Sequence, residues 1–185
     1  MKNNLLLLTI STLILCSCSE IKDAITVPIT TTLSVDVPLT VSITKSGSLN
    51  DKAGTVYNFS AEKILEVASN VDMTSYINKI KSVDLRSVSI SIAPLSGSEE
   101  VLTLDVFVTG ITGSVFSKTN ITATTNNPFF PVITPAIQTQ MNLVEAKIIT
   151  DRKITITVSG TTNTAPLNLT AKLAFDAKFI CAPLK

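Results

Sequence analysis

The stretch ITVPITTTLSVDVPLTVSI, residues 25–43, decides the fold class. Its odd positions are Ile25, Val27, Ile29, Thr31, Leu33, Val35, Val37, Leu39, Val41 and Ile43, nine of the ten apolar; the even positions hold only Thr, Ser, Asp and Pro. Side chains of a strand point alternately to two faces, so one apolar side at period two marks a half-buried β-strand. Nineteen residues is long for one strand, and a bend or division is expected near Val35. Pro28 and Pro38 fall on the polar face. Neither can donate to a ladder, which places the strand at a sheet edge.

The same alternation returns downstream. Val83 and Leu85 share one parity, and Val88, Ile90 and Ile92 share the other, which predicts a β-bulge near Arg86-Ser87. Pro94 to Glu100 reads as a turn into a strand with Leu102, Leu104, Val106 and Val108 aligned. Residues 111–125 are Thr-rich and read as one further strand. Ile154, Ile156 and Val158, followed by Leu167, Leu169, Ala171, Leu173, Phe175, Ala177 and Phe179, read as a hairpin whose loop is bracketed by Gly160 and Pro166.

Two helical insertions interrupt the strands. Ser60 is a candidate N-cap for a helix carrying Ile64, Leu65, Val67, Ala68 and Val71, with a short turn at 72–80 behind it. Thr134-Pro135 has the N-cap and first-turn proline of a second helix, with Ile137, Met141, Val144 and Ile148 inward. The expected class is mainly β: an antiparallel β-sandwich or twisted sheet with two short helical insertions. The order helix, strand, turn, strand occurs at 73–108 and again at 139–175. Internal duplication accounts for that, and so does the general likeness of amphipathic strands.

The chemistry of the chain is bounded by what it lacks. It has no histidine, which removes Ser-His-Asp and Cys-His nucleophilic sites, His-ligated zinc and imidazole switching together. Glu99 and Glu100 are adjacent and in a strand would face opposite ways, while Asp105 and Asp176 occupy polar strand positions. With no Trp and only two Tyr, a sugar-stacking cleft is not indicated. No metal-ligand, calcium-loop or phosphate-loop pattern occurs. No catalytic residue, metal or cofactor is therefore expected, and the chain is not read as an enzyme.

The first residues carry an address. Lys2 precedes an apolar run from Leu5 to Leu15, too short to span roughly 30 Å of hydrocarbon but right for the core of a signal peptide. Leu15-Cys16-Ser17-Cys18 resembles the lipobox of bacterial lipoproteins, with Leu three residues before Cys18 and a small residue just before it. Cys16 fits less well, because Leu15 would stand where a small residue is needed. The resemblance implies a signal peptide at 1–17, lipidation at Cys18, a tether at 18–24 and one β-rich domain at 25–185. Several acyl chains, at about 0.8 kcal/mol per buried methylene, make such an anchor effectively permanent. Ser19 rather than Asp follows Cys18, so the resemblance implies the outer membrane and leaves the leaflet open. In the order and period of its elements, the rest of the chain resembles secreted bacterial lipoproteins with β-sandwich domains.

Charge and cysteine use agree with that address. Fifteen Lys and Arg, one of them Lys2 in the leader, stand against 14 Asp and Glu, so the remainder is formally neutral. Nothing supplies the clustered cations that a nucleic acid partner needs. With Cys16 removed and Cys18 acylated, Cys181 is alone and no intrachain disulfide can form. Its expected state is a buried small hydrophobe or an inert terminal thiol.

One segment falls outside the periodicity: Asn126-Asn127-Pro128-Phe129-Phe130-Pro131-Val132-Ile133. Phe129 and Phe130 are candidates for an apolar contact loop, a cavity lid, or a plug closing one end of the core. The functional expectation is a membrane-anchored envelope module that binds a partner or plays a structural part without catalysis. The alternative is a carrier holding a lipid or other apolar ligand between sheet and helices.

Overall fold

The computed structural model describes residues 25–42, 55–124 and 128–184. The residues read as signal peptide and tether, with Cys16 and Cys18, lie outside the described residues. Among the described residues, seven strands and one α-helix follow in order: β1 (Val27–Val41), β2 (Tyr57–Glu66), β3 (Ile80–Ala93), β4 (Glu100–Val108), β5 (Phe116–Thr122), α1 (Pro135–Asp151), β6 (Lys153–Thr162) and β7 (Leu167–Cys181). Two short 3-10 turns, Val67–Ser69 and Ile77–Lys79, lie between β2 and β3. The fold is mainly β, as the alternation predicts.

The strands form two antiparallel sheets, a three-stranded one in the order β1-β7-β3 and a four-stranded one in the order β2-β6-β4-β5. Between them lies one core built from the inward parity of each strand: Leu33, Val37 and Leu39 of β1, Leu169 to Phe179 of β7, and Ile154, Ile156 and Val158 of β6. β1 also packs against β2, so the two sheets meet along that side.

The first strand is a sheet-edge strand, and Pro28 and Pro38 are exposed on it. It is not divided near Val35. All fifteen residues of β1 pair in unbroken register with β7, from Val27–Cys181 to Val41–Leu167, because an equally long partner supports it throughout. The bulge expected near Arg86-Ser87 is present as a register shift between Leu85 and Ser87.

Three local expectations are corrected. Residues 57–66 are strand β2, paired with β6 from Tyr57–Thr162 to Glu66–Lys153, and not a helix capped by Ser60. Its apolar residues split between faces, with Phe59 and Leu65 buried and Ile64 exposed, which a strand tolerates at a sheet edge. The β4 alignment places Leu104, Val106 and Val108 inward but not Leu102. A register shift between Val101 and Thr103 turns Val101 inward in its place. The closing pair, β6 and β7, is not a hairpin: β6 lies between β2 and β4, and β7 between β1 and β3.

The chain crosses between sheets at 94–99 and again at 163–166, and these two crossings lie together at one end of the sandwich. Asn163 ties them: its amide nitrogen donates to the Ser98 carbonyl at 2.9 Å, and its side-chain oxygen accepts from the Glu100 N–H at 2.9 Å. The opposite end holds Ile25 and the start of β1, the end of β7 and the close of α1. There Arg152, in left-handed conformation at φ 58°, accepts from the Val67 N–H at 3.0 Å and donates to the Ile80 carbonyl at 3.4 Å.

Candidate functional site

The Phe segment is built from its neighbours upward. Phe129 forms a two-way main-chain bridge with Ile90 on the outer edge of β3, at 2.9 and 3.0 Å. In an extended chain adjacent side chains oppose each other. Phe129 is accordingly buried at 4% exposure, and Phe130 stands out at 67%. The Lys118 ammonium lies over the Phe129 ring at 5.6 Å. The candidate pair is therefore split, Phe129 belonging to the core and Phe130 joining Val132 and Ile133 on an exposed run.

That run leads into α1 as the sequence predicts. The Thr134 hydroxyl accepts from the Ile137 N–H at 3.3 Å, Pro135 opens the first turn, and Met141, Val144 and Ile148 are buried. Ile137 is only partly buried. From α1, the Glu145 carboxylate accepts the Leu85 N–H at 2.7 Å, filling the ladder position that the bulge leaves open. Burial pushes the Glu145 carboxyl up and nearby Asp84 adds to that, while the Leu85 N–H pulls it down. β3 thus has its outer edge covered by the Phe129 main chain and by α1.

The remaining carboxylates decorate strand faces. Asp176 sits on the outer face of the three-stranded sheet between Thr32 and Ser87, accepting their hydroxyls at 2.9 and 2.7 Å, which hold it below the usual carboxylate range. Asp105 accepts from the Ser117 hydroxyl at 2.6 Å, and Glu99 closes the 96–99 turn on the Ser96 N–H at 2.8 Å. Among the described residues no three Cys, Asp or Glu gather as a metal site. Cys181 is buried, and that burial pushes its thiol up against the opposing pull of Arg152.

The other edge of the three-stranded sheet is treated differently. The loop after β2 reaches β1 only near its start: Asn70 donates its side-chain amide to the Thr32 carbonyl at 2.9 Å, and the Thr31 hydroxyl donates to Asp72 at 2.7 Å. Beyond that loop a groove of about 360 Å³ opens between β1 and the end of β2, bordered by Leu33, Ser34, Leu65, Glu66, Asn70 and Val71. A second groove, of about 320 Å³, lies between α1 and Gly110-Ile111, with Lys147 and Asp151 paired at 3.4 Å beside it. Sequence reasoning names none of these residues except Thr31, Leu33, Leu65 and Val71, since the pairing that assembles β1, β7, β3 and the 66–76 loop has no local signature.

No protein-family model matches the chain, and no curated protein matches it. Among solved structures, Desmodium yellow mottle tymovirus is similar at 11% identity and a TM-score of 0.35, over 86% of this chain and 91% of that one. The crystal structure of decameric BFDV capsid protein is similar at 12% identity and a TM-score of 0.39, over 83% of this chain and 99% of that one. Likeness at this level bears on neither function nor site.

Proposed function

We propose that this chain is a bacterial lipoprotein held in the outer membrane by acyl chains on Cys18, whose β-sandwich serves as a non-catalytic binding or structural module of the cell envelope. The observation that carries the reading is where the chain enters the domain. Ile25 and Val27 lie at the end of the sandwich opposite the 94–99 and 163–166 crossings. A tether of residues 18–24 reaches at most about 25 Å when fully extended. It therefore keeps the entry end near the lipid surface. β1, fifteen residues at roughly 3.3 Å each, then carries the crossings about 50 Å further out. A partner from another envelope component meets those turns or the sandwich edges first.

The carrier alternative draws no support from Phe129, which packs as core, or from the two grooves, which are open and edged by charged and hydroxyl groups. The test is incorporation of labelled palmitate in the host bacterium. Cys18→Ser should abolish labelling and release the protein from membranes, and Cys16→Ser should leave both unchanged. Equal labelling of wild type and Cys18→Ser would overturn the reading.

A further inference from the structure

The end of the three-stranded sheet at which the chain enters is closed by segments that carry little charge. Ile25 and Thr26 lead into β1, whose first charged residue is Asp36. The pairing of Val27 with Cys181 sets the residues after β7 beside them. The Ala182 N–H donates to the Lys79 carbonyl at 2.8 Å, which brings in the turn Ile77–Lys79. Across residues 25–35, 74–83 and 179–184 the charged side chains are Lys79 and Lys81, with no acid among them. Ile25 and Leu184 are exposed there at 52% and 49%, with Pro28 exposed beside them. The acids that border this end are engaged. Asp72 accepts the Thr31 hydroxyl at 2.7 Å, and Asp84 stands opposite Lys178 and pairs with Arg86 at 3.5 Å. On the other sheet Glu66 stands opposite Lys153.

We propose that this end is a lipid-contact face: Ile25 and Leu184 enter the headgroup boundary of the membrane that holds the Cys18 acyl chains, Lys79 and Lys81 reach the lipid phosphates, and the sandwich stands on the bilayer instead of swinging from it. The occupant follows from the chain outside the described residues. A tether of residues 18–24 joins at Ile25 and reaches at most about 25 Å, so the anchor presents a bilayer to this end before any protein partner can arrive. So short a tether sets a local concentration on the order of millimolar, at which even a small contact is occupied. Apolar side chains gain by leaving water at that boundary, and lysines lay their stems along it with the ammonium among the phosphates. Anionic headgroups attract those lysines and would repel a carboxylate placed between them. The inference rests on reading Cys18 as acylated, and it adds how the anchored domain is held.

The test uses the acylated chain, purified in detergent and reconstituted in vesicles of phosphatidylethanolamine and phosphatidylglycerol, with a fluorophore on Asn78→Cys or, as a control, on Ser98→Cys. With Cys18 alkylated and Cys181 buried, the introduced thiol takes the label. Lipid bearing a nitroxide near its headgroup should quench the label at Asn78 strongly and the label at Ser98, at the far crossing, not at all. Asn78 lies on the β3 side, away from the tether, so a swinging domain would leave it unquenched. Ile25→Asp with Leu184→Asp lies outside every strand and should fold with an unchanged melt while losing most of the quenching. Exchanging the anionic lipid for phosphatidylcholine should weaken it too. Quenching at Asn78 no greater than at Ser98, or unmoved by the aspartates or by loss of anionic lipid, would overturn the proposal. So would self-association in detergent that the aspartates abolish, which would make the occupant a second copy. A chain that takes up no palmitate refutes the anchor itself, whereas an acylated chain unquenched at Asn78 refutes this inference alone.

Discussion

Replacing Phe129 and Phe130 by alanine, one at a time, separates the two halves of the Phe segment. A buried phenylalanine removes about 150–250 Å² from water, which at about 25 cal/mol per Å² is worth roughly 4–6 kcal/mol. Alanine keeps part of that area, and core Phe→Ala substitutions cost about 3–5 kcal/mol. Phe129 is 4% exposed, and its backbone is fixed to Ile90, so the loop cannot collapse into the space left behind. About 3–4 kcal/mol is expected, or a melting temperature lowered by about 6–16 °C for a domain of this size. Phe130, at 67% exposure, has only about a third of its area to lose, and its replacement should cost no more than about 1 kcal/mol. Phe129→Leu should fall between, because it restores volume but not the contact with the Lys118 ammonium, worth about 0.5–1 kcal/mol. Thermal and urea melts of the full chain followed by circular dichroism read all three. Equal losses for the two alanine variants, or a larger loss at Phe130, would refute the assignment of Phe129 to the core.

Glu145→Gln should be at least as stable as wild type at pH 7, because the amide oxygen still accepts the Leu85 N–H without a charge beside Asp84. The carboxyl is raised in the fold, so the stability it contributes is fully present below its ordinary value and lost as pH rises through the raised one. The advantage of glutamine should therefore vanish in urea melts at pH 4. Glu145→Ala, which strands the Leu85 N–H, should cost about 1–3 kcal/mol at either pH; a glutamine variant as damaged as the alanine one would show that the hydrogen bond does not matter. Gly160→Ala should lose about 3 kcal/mol or more, since the added methyl meets the Thr103 carbonyl oxygen and lies 2.7 Å from the Phe59 ring, in a strand paired on both sides. A urea midpoint within error of wild type would mean that β4 and β6 can part there freely.

What the sequence made legible follows from how completely one face of an element is buried. The alternation and edge position of β1 are read correctly, though not the division expected near Val35, because its inward side is apolar at all but Thr31 and its prolines share one parity. The bulge at Leu85–Ser87 shows as a change of parity for the same reason. The bulge at Val101–Thr103 has the same cause but is hidden, since Leu102 occupies the expected apolar position and lets the wrong parity look continuous. β2 fails differently. Ile64, Leu65, Val67 and Ala68 satisfy helical spacing behind a good capping serine, and pairing with β6 overrides that local preference. α1 is legible because Thr134-Pro135 acts locally, through one hydrogen bond and one fixed dihedral. The candidate site is less legible still. Phe129 and Phe130 are conspicuous by composition, but which one turns inward depends on Ile90, 39 residues before Phe129.

The error at β6 and β7 has a consequence for the edges. Two alternating arms around a turn look the same whether they pair with each other or part into different sheets, since both arrangements bury one face of each arm. Had they paired, β7 would have been a poor centre for any other strand. Instead it lies between β1 and β3, and the three-stranded sheet has two edges to protect. An exposed row of unpaired backbone groups invites another chain. β3 is closed by its own protein, through the Phe129 bridge and Glu145. β1 is guarded at Thr32 by Asn70, and its missing donors at Pro28 and Pro38 limit how long an added strand can run. Alongside it runs β2, close enough that the two sheets meet there. Prolines on the outward parity remove donors that an added strand would need, and β2 alongside leaves it little room, so the two edges are protected by different means.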